Sequence, residues 1–281
     1  MSKKTVLCTG GAGYIGSHLC ERLLAEGYSV TTLDNYFTGS YNNLIDGCEH
    51  IIGSTEKIRS IFQKKSFDFI VHLGEYSRVE QSFADSHLVW KYNKIGTREV
   101  LEYVREQGGK LIYAGSSTKF ADKTPGYIKA SNTELVKLYG EWYNIDYAIT
   151  YFYNVYGGRE ISSGEYATLI AKYKQLYREG KPLPVVKPGT QKRNFTYIDD
   201  IIDALVLIME KGSGDEYGIG NKKNYTIQGV ADLFETNIVY LQPRKGNRMS
   251  APVVSEKTEA LGWNTKIDLE KHIKEYIKNE N

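Results

Sequence analysis

Short strand-like runs alternate with helical repeats over the first 155 residues of the chain. The helices are marked by apolar residues at three- or four-residue intervals, as in Ile15, Leu19 and Leu23. Helices are predicted at Ile58–Phe62, Leu88–Gln107 and 129–141. Strands are predicted at Thr5–Cys8, Ser29–Asp34, His50–Gly53, Phe67–Leu73, Lys110–Ala114 and Tyr147–Tyr153. Such alternation is typical of a parallel sheet covered by helices on both faces.

Beyond residue 155 the pattern becomes irregular. Gly180–Gly189 contains three prolines and reads as turns, and Phe195–Met209 predicts a short strand followed by a helix. A strand is also predicted at Ile238–Leu241, with helices at Leu169–Tyr177, Thr226–Phe234, Ser255–Leu261 and Leu269–Ile277. We therefore predict an α/β fold in two parts. Residues 1–155 form a doubly wound parallel sheet to which residues 195–210 return, and residues 156–281 form a smaller α+β C-terminal substrate lobe.

Three glycines stand between the first predicted strand and its helix, namely Gly10, Gly13 and Gly16 in the spacing G-x-x-G-x-x-G. Gly10 allows a tight turn, Gly13 lets a pyrophosphate approach the backbone, and Gly16 lets the helix pack closely on the sheet. Asp34 ends the second strand, where a carboxylate binds a ribose 2′-hydroxyl and repels a 2′-phosphate. A glycine-rich turn alone has many uses, but in this strand–helix context it predicts a Rossmann-type domain that binds NAD rather than NADP.

The charge and the cysteine content limit the class of binding partner and the cellular compartment. The 36 basic and 34 acidic residues give a net charge of +2, which indicates neither nucleic acid nor a membrane and leaves a small molecule as partner. Cys8, Cys20 and Cys48 lack metal-ligand or disulfide spacing, so no metal is expected and the thiols are interpreted as buried or idle. Because we find no secretory signal and no apolar stretch of about 20 residues, we expect a cytoplasmic protein.

Candidate binding groups follow the predicted strands. Gly74 ends the fourth strand and Ser116 follows the fifth, so both are expected at the carboxyl edge of the sheet, where ligands of such folds bind. A hydroxyl at this edge either hydrogen-bonds a substrate oxygen or caps the strand end. The loop Asn35–Leu44 either lies beside a cofactor ribose or is an ordinary surface loop. Arg193 and Arg244 lie on separate predicted loops and serve either solubility or an anionic ligand.

A resemblance to a known family rests on nine segments in chain order, namely Thr9–Gly16, Asp34–Asn35, His72–Gly74, Tyr92–Thr97, Ser116–Thr118, Asn154–Gly157, Gly189–Thr196, Asp199–Asp200 and Leu261–Trp263. Together they resemble the extended short-chain dehydrogenase/reductase family, and within it the NAD-dependent nucleotide-sugar epimerases related to UDP-glucose 4-epimerase. The resemblance covers nearly the whole chain. Several segments are weak by themselves, and their common order and spacing make the signal specific.

The resemblance implies a set of site residues. Those implied to contact NAD are Gly10, Gly13, Tyr14, Ile15, Gly16, Asp34, Asn35, Thr38, Gly39, Ser54, Leu73, Gly74, Asn93 and Lys129. Ser116 is implied to hydrogen-bond the sugar C4 oxygen. The diphosphate and nucleoside of a UDP-sugar are implied to bind Asn154, Arg193 and Arg244, and the implied assembly is a homodimer. Related 4,6-dehydratases carry Asp-Glu where this chain has Ser117-Thr118, which disfavours dehydration.

The catalytic pair departs from the pattern of the family. The family has Tyr-x-x-x-Lys, a spacing that places both side chains on one helix face. Lys129 matches the family Lys by its neighbours, but Pro125 stands four residues before it and Tyr127 only two. Either the sequence lacks a residue, or Tyr127 reaches the site from an irregular loop before the helix, or the protein is a catalytically weakened relative. Tyr127 is therefore the candidate base or, alternatively, a packing residue.

We expect an NAD-dependent nucleotide-sugar 4-epimerase that acts on a UDP-hexose by transient oxidation and re-reduction at C4. Ser116, Tyr127 and Lys129 are its candidate catalytic residues. Two alternatives stay open. The same fold supports a reductase or dehydrogenase of a 4-keto nucleotide sugar, because function resides in the site rather than in the fold. The displaced Tyr and Lys also fit a catalytically impaired protein that binds NAD or a nucleotide sugar.

Overall fold

The computed structural model describes residues 3–78, 81–117, 127–243, 249–250 and 252–280, with the main chain alone at residue 83 and residues 127–130. Within these residues the strands are β1 (Thr5–Thr9), β2 (Ser29–Asp34), β3 (Glu49–Ile52), β4 (Phe69–His72), β5 (Lys110–Ala114), β6 (Tyr147–Phe152), β7 (Val155–Tyr156), β8 (Leu183–Val186), β9 (Lys192–Asn194), β10 (Thr196–Tyr197), β11 (Gly214–Ile219), β12 (Asn224–Thr226) and β13 (Ile238–Leu241). The α-helices are α1 (Tyr14–Ala25), α2 (Ile58–Ile61), α3 (Ser86–Val89), α4 (Gly96–Gln107), α5 (Tyr127–Tyr143), α6 (Leu169–Arg178), α7 (Ile198–Lys211), α8 (Ile227–Asp232), α9 (Glu256–Glu259) and α10 (Leu269–Glu280). A π-helical turn, Trp90–Ile95, joins α3 to α4.

Seven parallel strands form the main sheet in the order β11-β6-β5-β4-β1-β2-β3. The strand order reverses at β1, which pairs with β2 on one side and with β4 on the other. In open α/β sheets, ligands bind at the carboxyl ends of the strands beside such a reversal. The predicted α/β fold with a doubly wound parallel sheet is confirmed. The sequence pattern misses β11, because two glycines and two acidic residues interrupt its apolar positions.

Two apolar layers cover the main sheet, one on each face. Successive residues of β1 point to opposite faces, so Val6 and Cys8 pack with residues of α1 and α7, whereas Leu7 packs with residues of α2, α4 and α5. Helix α7 therefore belongs to the layer that covers the sheet, and β11 directly after it joins the sheet. All three cysteines are free thiols. Among the described helices, none is long and apolar enough to cross a membrane.

A third apolar cluster forms the core of the smaller lobe. Three two-stranded sheets accompany it, formed by β7 with β10, β9 with β12, and β8 with β13. The prolines of Gly180–Gly189 hide β8 in the sequence, because Pro184 is tolerated only where a strand needs few ladder hydrogen bonds. The buried residues of this cluster include Tyr156, Tyr173, Leu183, Phe195, Phe234, Leu269 and Ile273.

The segment before α10 is fastened to α7 by Trp263 and Asp200. Trp263 is 3% exposed, and its indole Nε1 donates to the carbonyl oxygen of Asp200 at 2.8 Å. The carboxylate of Asp200 accepts the backbone N–H groups of Lys266 at 3.1 Å and Ile267 at 3.2 Å. Two of the segments that carry the family resemblance thus join the end of the chain to the helical layer of the sheet.

Candidate active site

The glycine turn between β1 and α1 leaves no room for side chains. Gly10 has a φ of 74°, and a Cβ on it would lie 2.9 Å from the backbone N of Gly74. A Cβ on Gly16 would lie 2.1 Å from the carbonyl oxygen of Gly10. Gly13 precedes α1 without a side-chain capping bond, and the first turn carries no acidic residue. The first amides of the helix are therefore open to an anion, as in the sites that hold a pyrophosphate.

Asp34 is held in place at the end of β2. Its carboxylate accepts the backbone N–H groups of Ala12 at 3.0 Å and Tyr36 at 2.8 Å, and the residue is only 8% exposed. Burial raises the pKa of this carboxyl group, while the two N–H donors act in the opposite direction. A Cβ on Gly39 would lie 2.8 Å from its Oδ1, so the following loop closes over the carboxylate. This placement suits a ribose 2′-hydroxyl, as NAD requires.

A cavity of 1290 Å³ brings most of the predicted site residues together. It exceeds the range of about 300–1,000 Å³ of an ordinary small-molecule site, and so it has room for a cofactor and a second ligand. It is lined by Ser116, Asn154 and Arg193, which the resemblance assigns to the substrate. Of the residues implied to contact NAD, it is lined by Gly10, Gly13, Tyr14, Ile15, Gly16, Asp34, Asn35, Thr38, Gly39, Ser54, Leu73 and Gly74.

The backbone explains how two substrate residues reach the cavity. Asn154 lies in the turn between β6 and β7 with a φ of 38°, and its Nδ2 donates to the carbonyl oxygen of Asn194 at 2.8 Å. Arg193 lies next to Asn194 in β9, and its Nη1 donates to the carbonyl oxygen of Lys192 at 2.8 Å. The turn and β9 are thereby joined. Arg244 belongs to residues 244–248, which lie outside the described residues.

Asn93, which the resemblance assigns to NAD, bonds the main chain of the loop that follows β4. It is 1% exposed, and it is not among the described residues that line the cavity. Its Oδ1 accepts the backbone N–H of Tyr76 at 2.6 Å, and its Nδ2 donates to the carbonyl oxygen of Tyr76 at 2.9 Å. Asn93 therefore clamps the main chain of the loop that follows β4.

Glu75 is a site residue that the sequence pattern does not single out. It lines the cavity directly after Gly74. Its Oε1 accepts hydrogen bonds from the Thr97 hydroxyl at 2.6 Å, the Tyr113 hydroxyl at 2.9 Å and Asn132 Nδ2 at 3.1 Å. These donors belong to α4, β5 and α5, so one carboxylate joins three elements. Glu75 could have been recognised in the sequence as an acidic residue just after a fully buried strand, because a carboxylate in such a place needs hydrogen-bond partners.

Helix α5 begins at Tyr127, so Tyr127 and Lys129 both belong to its first turn and the main chain at Tyr127 is helical. Asn132 and Thr133 follow Lys129 by three and four residues, and both are fully buried. Asn132 Nδ2 donates to Glu75. Because residues three and four apart share a helix face, position 129 lies on the buried face of α5.

Position 127 lies on the other face of α5. The positions that follow it at helical spacing are Ser131, Glu134 and Leu138. The side chain of Glu134 is 62% exposed, and Leu138 is 37% exposed. The helix therefore separates position 127 from position 129 rather than bringing them together.

The described residues fit a dinucleotide. The glycine turn offers a backbone surface free of side chains, the helix behind it has an uncapped N-terminus, and Asp34 lies at the end of the neighbouring strand. All three line a cavity at the point where the strand order reverses. Fold and site together define an α/β nucleotide-binding protein.

The chain belongs to the NAD dependent epimerase/dehydratase family, whose model matches residues 6–220. The predicted cofactor NAD and the predicted family are therefore confirmed.

Relatives of the chain act on nucleotide sugars in more than one way. A putative UDP-glucose 4-epimerase of Methanocaldococcus jannaschii is 28% identical over 98% of this chain and 99% of that protein. A UDP-N-acetyl-alpha-D-glucosaminuronate decarboxylase of Bacillus cytotoxicus is 31% identical over 82% of this chain and 78% of that protein. Among solved structures, the UDP-glucose 4-epimerase of Thermotoga maritima with UDP-glucose has a TM-score of 0.90 at 26% identity, covering 98% and 99% of the two chains. The protein is thus an NAD-dependent enzyme of nucleotide-sugar modification.

Proposed function

We propose that the protein is a nucleotide-sugar 4-epimerase that acts on a UDP-hexose. The supporting observation is that Ser116 lines the same cavity as the glycine turn, Asn154 and Arg193. A hydroxyl that shares a cavity with the cofactor site and with these two side chains is suited to hydrogen-bond the C4 oxygen of the sugar. Similarity to the putative UDP-glucose 4-epimerase over nearly the full length of both chains supports the same reaction.

The residues of the chain would divide the work as follows. Ser116 hydrogen-bonds the C4 oxygen and orients its proton, and Lys129, in the first turn of α5, is the candidate cation of the site. NAD, when bound, would supply reversible hydride transfer at C4. Asn154 and Arg193 hold the diphosphate while the sugar turns. Tyr127 stays the candidate acceptor of the C4 proton, although its position lies on the other helix face.

Ser116→Ala is expected to lower kcat for the interconversion of UDP-glucose and UDP-galactose about 100-fold, because a positioned proton-handling group is lost. NAD affinity should not change. Nuclear magnetic resonance of the sugar signals, without added reductant, measures the rate. Ser117→Ala is the matched control and should keep nearly full activity.

Two outcomes would contradict the proposal. One is tight NAD binding without turnover of UDP-glucose, UDP-galactose or their N-acetyl forms. The other is net consumption of NADH with a 4-keto nucleotide sugar, which would indicate a reductase. If Tyr127→Phe keeps the wild-type rate, Tyr127 is not the base.

We also propose that the enzyme is a homodimer. Large apolar side chains are exposed on two adjacent helical segments, with Trp90 55% and Trp142 59% exposed. Lys94 Nζ lies 3.3 Å from Ser131 Oγ, which shows that the two segments are neighbours. Such a patch is typical of a subunit interface.

Trp142→Glu is expected to convert the dimer to a monomer, as measured by light scattering. The control Tyr240→Glu, on β13, should leave the molecular mass of the assembly unchanged. A monomeric wild-type protein would contradict the proposal.

A further inference from the structure

Arg78 is a positively charged residue of the cavity that the proposed epimerisation does not use. It lies on the loop that follows β4 and lines the cavity. Its Nη2 donates to the backbone carbonyl oxygen of Tyr166, on the loop before α6. Arg78 is partly buried, and this burial lowers the pKa of its guanidinium group.

None of the residues that the structure describes forms an ion pair with Arg78, whose hydrogen bond goes to a neutral carbonyl group. The charge of Glu160 acts on it, but the Glu160 carboxylate accepts the N–H of Gly157 at 2.9 Å. The carboxylate of Asp85 accepts the Tyr76 hydroxyl at 2.7 Å. A partly buried charge that forms no ion pair with the described residues is unfavourable, and its place in the cavity lining suits an anionic ligand.

The surroundings of Arg78 hold it in one place. Tyr166, whose carbonyl oxygen accepts from Arg78, belongs to a group of three packed rings, in which the ring centroid of Phe37 lies 5.8 Å from those of Tyr76 and Tyr166. Gln81 Nε2 donates to the carbonyl oxygen of Glu165 at 2.7 Å, which is a second link between the same two loops. The guanidinium of Arg78 is planar and held by Tyr166, so its remaining N–H donors suit a planar anion such as a carboxylate.

The other anions of the proposed ligands have partners elsewhere. The cofactor pyrophosphate faces the N-terminus of α1, and Asn154 and Arg193 serve the diphosphate of the nucleotide sugar in the proposed function. Strands β4 and β5 are neighbours in the sheet, so the loop that carries Arg78 starts beside the loop that carries Ser116. On a hexose, C6 is attached to the carbon next to C4. A group bound at C6 is therefore close to a residue that binds the C4 oxygen.

We propose that Arg78 binds a carboxylate at C6 of the sugar, so that the preferred substrate is a nucleotide sugar of the hexuronate class. This inference rests on the proposed nucleotide-sugar function and names its substrate class. The planar guanidinium forms paired, charge-assisted hydrogen bonds with the carboxylate, whereas the neutral C6 hydroxyl of a hexose leaves one donor and the positive charge without a partner.

Calorimetric titration of the NAD-loaded protein with UDP, UDP-glucose and UDP-glucuronate tests the inference. The wild-type protein should bind UDP-glucuronate about tenfold more tightly than UDP-glucose. Arg78→Met should remove that preference and leave the affinities for UDP and UDP-glucose within about twofold of wild type, and Arg78→Lys should keep part of it. Arg178→Met, an exposed residue paired with Glu280 at 3.5 Å, is the matched control and should change nothing.

Two results overturn the inference. If Arg78→Met loses affinity for UDP and for UDP-glucuronate equally, Arg78 binds the diphosphate instead. If the wild-type protein shows no preference for UDP-glucuronate, Arg78 does not bind a carboxylate. The second result needs only the wild-type protein, so it stands even if the variant does not fold. The turnover assay separates this inference from the proposed reaction. Selective UDP-glucuronate binding without epimerisation refutes the reaction alone, and epimerisation of UDP-glucose without a hexuronate preference refutes the role of Arg78 alone.

Discussion

Gly16→Ala is expected to weaken NAD binding about 100-fold and to lower the free energy of unfolding by about 3 kcal/mol. The new Cβ would lie 2.1 Å from the carbonyl oxygen of Gly10 and 3.0 Å from the Cα of Gly11. Both neighbours are backbone atoms, so no side chain can move aside and α1 itself must shift. The amides at its N-terminus then leave the position in which they meet the pyrophosphate. Urea unfolding measures the stability, and calorimetric titration with NAD measures the affinity.

Gly158→Ala is the matched control for this variant. The nearest atoms to a Cβ on Gly158 belong to the His18 ring at 3.6 Å, which is ordinary contact, and the residue is exposed. Its stability should lie within about 0.5 kcal/mol of wild type, with unchanged NAD affinity. Wild-type NAD affinity in Gly16→Ala would mean that the cofactor does not bind at the glycine turn.

The glycine turn could be predicted from sequence because its determinants lie within one strand–helix–strand unit. The strands with regular patterns, β2, β5 and β13, have the bounds that the pattern predicts. Strand β8 was hidden by Pro184, and β11 by two glycines and two acidic residues. In both strands the pairing partner, rather than the local preference of the residues, decides the structure.

The substrate side of the cavity was less predictable, because its contacts join residues that are distant in sequence. Arg78 meets Tyr166 and Glu75 meets Asn132, and no local period links either pair. The π-helical turn Trp90–Ile95 is similar, because it lies inside the stretch Leu88–Gln107 that the sequence pattern predicts as one helix. The backbone clamp formed by Asn93 within this turn could be found only in the structure.

Glu75→Leu is expected to lower the free energy of unfolding by about 3–4 kcal/mol, because three donors from α4, β5 and α5 lose a charged acceptor in a buried place. Burial and the charge of Glu75 raise the pKa of Tyr113, so this hydroxyl stays protonated and needs an acceptor. Activity should fall as well, about tenfold, since Asn132 loses a partner one turn after Lys129 and small misplacements of reacting groups are costly. Urea unfolding and the epimerase assay measure the two effects.

Two further variants show whether the charge or the shape of Glu75 matters. Glu75→Gln keeps the shape of the side chain, but the amide NH2 group faces hydrogen-bond donors instead of accepting from them. The free energy of unfolding should therefore fall by about 1–2 kcal/mol. Glu134→Gln, on the exposed face of α5, should stay within about 0.5 kcal/mol of wild type. If Glu75→Leu has unchanged stability but a lower kcat, the cost of burying the carboxylate equals the contribution of its hydrogen bonds to stability. Glu75 would then act on the site only by orienting α5. Unchanged stability and unchanged kcat would show that the network serves neither purpose.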